Sequence, residues 1–394
     1  MKTLESLSLQ ENRLAELDIS ATRWKSLTHL ALSHNKIRSL QGLHLLPDLI
    51  SLKLDFNDLS SLSSVGNLSQ LRMLRISGNS RLTTLDVGSL SRLRTLYADF
   101  CDLREVSGLS SARRLENLSL RSQQSAKFRL SAPLPRRLRR LFLSGNPISK
   151  SLEQLGSVDA PQLQELVYLE LAGCQLASLP SWLWDVMPNV RHLNVDHNLF
   201  QEVPHLTELT RLKRLSIVSC RIGRTASIVR AIDDLPLESL DTRSNPCTLG
   251  LYAPVPSPIT GAISKSTHLP KGFAGTAAPF PHPAVVQPDF AEQQLISEEA
   301  DEESNAHKSF FHKRLPDPPS GPSQSAKGVA QTKMNEAADE RFIRALPADT
   351  LQQRILHRGV VAMACGRLRY LDGLPVHDEE VEEASQLLDS LSMP

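Results

Sequence analysis

One short pattern recurs about eleven times along this chain, and that repetition constrains the fold more than any other property. LESLSLQENRL, beginning at Leu4, returns as LTHLALSHNKI from Leu27, LISLKLDFNDL from Leu49 and LRMLRISGNSRL from Leu71. It continues as LRTLYADFCDL from Leu93, LENLSLRSQQS from Leu115, LRRLFLSGNPI from Leu138 and LVYLELAGCQL from Leu166. The series runs on through VRHLNVDHNLF from Val190, LKRLSIVSCRI from Leu212 and LESLDTRSNPC from Leu237. Most steps are about 22 residues. Those after Leu138 and Leu212 are longer, which places small insertions there. No single coil of this length buries its own apolar face, so stability is a sum over stacked neighbours.

The period and the LxxLxL core identify the pattern as a leucine-rich repeat, and each position has a physical reason. In an extended segment alternate side chains face opposite ways, so Leu27, Leu30 and Leu32 point into the stack while His29 and Ala31 face out. The asparagine that follows (Asn12, Asn35, Asn57, Asn79, Asn146, Asn198, Asn245) is placed to bond unpaired backbone groups of neighbouring coils. Cys101, Cys174 and Cys220 take that position in other coils and read as buried structural thiols. Beyond the asparagine, apolar residues recur about every third position (Ile37, Leu40, Leu43, Leu46, Leu49), which fits short 3₁₀ or extended turns. The expected fold is an α/β leucine-rich repeat solenoid, with a curved parallel sheet on the concave face and these turns on the convex face.

Net charge is +1, with 44 Lys and Arg against 43 Asp and Glu, so no global charge draws the chain to nucleic acid or to a membrane. No stretch approaches the apolar run needed to span a bilayer, and MKTLESLSLQ has no secretory h-region. Five cysteines without paired spacing argue for reduced thiols and a cytosolic or nuclear setting.

The composition changes after the last regular coil. The array is expected over 1–247 and a disordered Pro/Ser-rich acidic insertion over 248–338, with proline clusters such as APFPHPAVVQPD and the run SEEADEES from Ser297. SEEADEES resembles an acidophilic kinase site, and RLPDPPSGP has the composition of a polyproline segment. Order is expected to return over 339–394. There Leu351, Ile355, Val360 and Met363 fall near helical spacing, Asp349 is placed to cap, and RLRYLDG follows as strand and turn. The tail is then the final coil of the array, separated from it by a long loop whose closure entropy grows only logarithmically. At the other end Leu4 follows Met1–Thr3 with no cap, which points to a domain preceding it in a longer parent chain or to a partner that covers it.

No P-loop, GxGxxG, HExxH or CxxC pattern is present, and no Ser/His/Asp set groups in the sequence, so catalytic, cofactor and metal residues are all expected to be none. His34 and His197, each just before a turn asparagine, read as exposed edge positions. With strands about 4.8 Å apart, the coils give a concave strip on the order of 50 Å long. Its outward positions read Lys53 and Phe56; Arg72 and Arg75; Arg94, Tyr97 and Phe100; Arg121; Arg139, Arg140 and Phe142; Tyr168 and Glu170; Arg191, His192 and Asn194; then Lys213 and Arg214. Arginine interleaved with aromatics is the composition of protein-binding hot spots, and arginine clusters grip phosphorylated or acidic segments. The alternative is a solvated face whose aromatics only pack on one another.

The 22-residue class with its cap resembles the intracellular family typified by the phosphatase-1 regulatory leucine-rich protein. The tail is more particular: FIRALPADTLQQRILHRGVVAMACGRLRYLDGLPVHDEEVEEASQLL resembles the end of the fungal septation-initiation, or mitotic-exit, network scaffolds. That resemblance implies a non-enzymatic scaffold at the spindle pole body, whose protein partners are a coiled-coil pole anchor and a small GTPase and kinase cascade that triggers cytokinesis. Members of that family are much longer, with N-terminal regions that bind the kinase module. The other resemblance implies a regulatory subunit of protein phosphatase 1.

Overall fold

The computed structural model of the chain describes residues 4–19, 24–130, 133–155, 162–253 and 335–392. The chain divides into two units, Met1–Leu249 together with Gln352–Pro394, and Gly250–Leu351. SEEADEES, RLPDPPSGP and most of the proline clusters lie outside the described residues.

In the first unit, thirteen strands of the described residues form one sheet. Each LxxLxL supplies a three-residue strand centred on its middle leucine. Leu30, Leu52, Leu74 and Leu96 stand side by side in parallel register and are fully buried. The same register runs through Leu118, Leu141, Leu169, Leu193, Leu215 and Leu240. Burying one such side chain contributes about 1.5–3 kcal/mol. Because each leucine is covered by the coils on either side, that gain exists only in the stack.

The asparagines join coil to coil. Asn57 Nδ2 donates to Leu32 O of the preceding coil and to Leu54 O of its own, and its Oδ1 accepts from Ile37 N. Asn198 repeats this with Leu171 O, Val195 O and Leu176 N. Cys101, Cys174 and Cys220 keep the donor half, each Sγ facing a carbonyl of the previous coil at 3.4–3.5 Å. Burial pushes these three thiols up to about 12. The coil that lacks both residue types uses Gln123, whose Nε2 reaches Ala98 O at 2.7 Å. The residue before this position takes a left-handed backbone in coil after coil, as at His34, Phe56, Phe100 and His197.

The return half of each coil follows the expected short turns, with some helix. 3₁₀ turns span Leu43–Leu45, Ser63–Asn67 and Leu109–Ser111, and short strands pair Glu16–Asp18 with Ser39–Gln41 and Thr84–Asp86 with Glu105–Ser107. The two longer steps hold α-helices, α1 (Ser149–Leu155) and α3 (Thr225–Ile232), and α2 (Leu183–Val186) lies between them.

The tail completes the sheet. Tyr370–Leu371 pairs in parallel with Ser239–Asp241, placing Leu371 beside Leu240, and Cys365 Sγ faces Leu235 O and Leu237 O. Asp372 and Gly373 both have positive φ, which suits an Asp-Gly hairpin turn, and the chain folds back so that Leu374–Pro375 pairs antiparallel as the last strand. Proline lacks an N–H, so this edge is a poor template for further pairing. Helices α4 (Ala348–Ala364) and α5 (Asp378–Ser392) flank the hairpin in sequence. Asp349 lies inside the first turn of α4. The packed face of α4 differs from the apolar spacing read in the sequence: Arg354, His357, Arg358, Val361 and Ala362 are buried, whereas Met363 is exposed. The reason is Arg358, whose guanidinium donates to Leu371 O, Pro375 O and the Glu380 carboxylate and so ties hairpin to α5.

Candidate protein-docking face

The strand geometry sorts the outward residues into columns. Immediately before the strands stand Arg72, Arg94, Arg139, Arg191 and Lys213. The first strand position holds Arg140, Tyr168, His192 and Arg214, and the third holds Lys53, Arg75, Tyr97 and Phe142. Arg121 follows its strand, and Phe56 and Phe100 occupy the left-handed turn position beyond it. Arg72, Arg94 and Arg214 are exposed, and Phe142 is buried; the remaining sequence-predicted residues of this face are half-buried.

Two of the cations are spent within the fold. Arg75 Nε lies 2.9 Å from Asp55, with its guanidinium 5.5 Å from the Tyr97 ring. Arg121 makes a bidentate contact with Glu170 at 2.8 and 2.7 Å, lies 3.8 Å from Asp99, and covers the Phe142 ring at 4.4 Å. Phe142 therefore supports Arg121 from beneath, at 4% exposure. Elsewhere Arg94 meets Glu116 at 3.6 Å and Lys213 meets Glu238 at 3.2 Å, both pairs near solvent and weakly coupled.

An aromatic run crosses the middle coils. Phe142 and Tyr168 have ring centroids 5.0 Å apart, and Tyr168 stacks on His192 at 6.1 Å. Burial, reinforced by Arg214, Arg191, Lys213 and Arg140, lowers the His192 pKa to about 4, so the imidazole is neutral at pH 7 within a ring of cations. A neutral aromatic centre bordered by guanidinium groups suits a polypeptide whose apolar side chains and carboxylates or phosphates alternate.

The sequence reading missed the aspartates beside this face. Asp55, Asp99 and Asp196 hold the same register, one residue past the last apolar position of the repeat core (Leu54, Ala98, Val195), and each Oδ1 accepts from a backbone N–H of the next coil: Ser77, Arg121 and Val218. Burial raises Asp99 to about 6 and Asp196 to about 7, the latter against hydrogen bonds from Ser216 and Val218. Their signal was the recurrence of Asp at one repeat position. Among the described residues, no three His, Cys, Asp or Glu side chains converge to hold a metal ion, and no helix is long and apolar enough to cross a membrane.

Comparison with known proteins follows the same lines. The family model described as leucine rich repeat matches residues 2–59. The chain is 31% identical over 162 residues to the septation initiation network scaffold protein cdc11 of Schizosaccharomyces pombe. That match covers 40% of this chain and spans 15% of the relative's length. Among solved structures, a leucine-rich repeat protein of Leptospira interrogans is 21% identical over 60% of this chain and 71% of its own, with a TM-score of 0.42. The leucine-rich repeat domain of APL1B is 18% identical over 60% and 68%, with a TM-score of 0.45.

Proposed function

We propose that this leucine-rich repeat chain, similar to a septation initiation network scaffold, is a non-enzymatic scaffold segment that docks a protein partner on the outward face of its sheet. Its setting in this reading is septation signalling at the spindle pole body. The observation that carries the docking reading is the face itself, a neutral Phe142–Tyr168–His192 run bordered by Arg139, Arg140, Arg191 and Arg214. Such anchors concentrate binding energy in a few side chains, each costing about 2 kcal/mol or more when truncated. The similarity to a septation scaffold supports the setting.

A pull-down from mitotic fungal lysate tests the docking. The triple variant Arg94→Glu, Arg139→Glu, Arg140→Glu is expected to recover its main partner at least about tenfold less than the parent chain, with an unchanged unfolding midpoint. Equal recovery would remove the sheet face as the docking surface. A fluorescent fusion followed through mitosis tests the setting: focal signal at the spindle poles is expected, and diffuse signal throughout would exclude it.

A further inference from the structure

The N-terminal part of the same face carries a hollow of about 540 Å³. It exists because successive strands place small side chains there: Ser6 and Ser8 from the first, Ala31 from the next, Ser51 from the third. The third strand also contributes Lys53, and the two coils that follow contribute Arg72 and Arg94 to the lining. Arg72 and Arg94 precede neighbouring strands in register, so their backbones stand about 4.8 Å apart. No aspartate or glutamate lines the hollow, and among the described residues no carboxylate pairs with Lys53 or Arg72. The nearby Arg75 is neutralised by Asp55, and only Arg94 shares its charge, with Glu116.

We propose that this hollow receives a phosphoserine or phosphothreonine side chain of the docked partner, an inference that rests on the sheet-face docking reading. A phosphate monoester brings close to two negative charges and three acceptor oxygens. Two arginine forks on adjacent coils, a lysine and serine hydroxyls supply donors for all three. A glutamate in the same place offers one charge and two oxygens. The volume falls within the usual range for ligand pockets, about 300–1,000 Å³, so a phosphorylated residue enters with part of its flanking chain. Single-stranded nucleic acid, the other phosphate-bearing polymer, is held largely by stacking on aromatic platforms, and the lining contains no Phe, Tyr or Trp.

The test uses the full chain and fluorescence anisotropy with labelled degenerate nonapeptides centred on phosphoserine or phosphothreonine. Matched pools carry Ser, Thr or Glu at the centre, and a 20-mer oligouridine serves as the nucleic-acid arm. The phosphorylated pools are expected to bind at least about tenfold more tightly than the Ser and Thr pools. Arg72→Glu and, separately, Lys53→Glu should abolish that preference, whereas Arg113→Glu, away from the hollow, should keep it; melting curves verify that each variant is folded. Equal binding of phosphorylated and plain pools, absence of binding by either, a preference retained in both folded hollow variants, or tighter binding of the oligouridine would each overturn the proposal. Phosphatase treatment of the lysate before the pull-down separates the two readings. Recovery that survives treatment keeps sheet-face docking and removes the phosphate.

Discussion

A buried histidine joins the strand pairing and Cys365 in tying the last regular coil to the tail. His357 is buried at 3% exposure, with Nδ1 3.0 Å from Thr225 Oγ1 and Nε2 3.3 Å from Thr242 Oγ1. Burial, with help from Arg358 and Arg354, lowers its pKa to about 4. The unfolded chain binds that proton near pH 6.5, so the stability contributed by the neutral ring is intact above 6.5 and is lost as pH falls from there toward 4. Asp99 and Asp196 act in the opposite sense, because their raised folded pKa values favour the fold at low pH and cost stability as pH rises through about 6 and about 7. The His357→Gln variant isolates the histidine. In urea titrations the advantage of the parent chain over this variant is expected to shrink by on the order of 3 kcal/mol between pH 7.5 and pH 4. A difference that stays flat across that range would refute the assignment. At this scale the sequence was partly legible. The asparagines and cysteines could be read because they recur at one position, whereas His357 occurs once and acquires its neighbours only on packing.

Among the secondary-structure elements, the informative one is α4. Its helical character was legible, but its buried face was not, because that face sets arginines, a histidine and a glycine beside Val361 and Ala362. Gly359 is the point of closest approach: a Cβ there would overlap the Ala384 Cβ of α5 and come within 3.0 Å of Glu380 O. Gly359→Ala is therefore expected to destabilise the tail by about 1–3 kcal/mol, although alanine is the better helix former by about 1 kcal/mol. Pairing it with Ala384→Gly should recover part of the loss. A double-mutant cycle in thermal melts measures this, and purely additive effects would show that the two residues do not meet. The longer steps after Leu138 and Leu212 marked where α1 and α3 sit. Their helical form was not anticipated, since extra length in a coil does not by itself specify conformation.

Across the whole molecule, the array ends where the strand Ser239–Asp241 is covered by a segment more than a hundred residues further on. Without that cover, Leu237 and Leu240 would face water. Leu371→Asp places a charge at a fully buried site beside Leu240 and should lower the unfolding midpoint and increase binding of a hydrophobic dye.

What the amino-acid sequence determined alone is whatever repeats. Leucines at a fixed spacing specify a strand and its buried face in every coil, and an asparagine or its substitute fixes the turn, because each coil meets the same neighbours as the last. Even the closing strand was readable from Leu368, Leu371 and the Asp-Gly turn. The tertiary structure decided what occurs once: which arginines on the face are consumed by Asp55, Asp99 and Glu170, which aromatic lies beneath one of them, and how α4 packs through polar groups. Those contacts join residues from different coils whose identities no period constrains, so only the stacked arrangement brings them together.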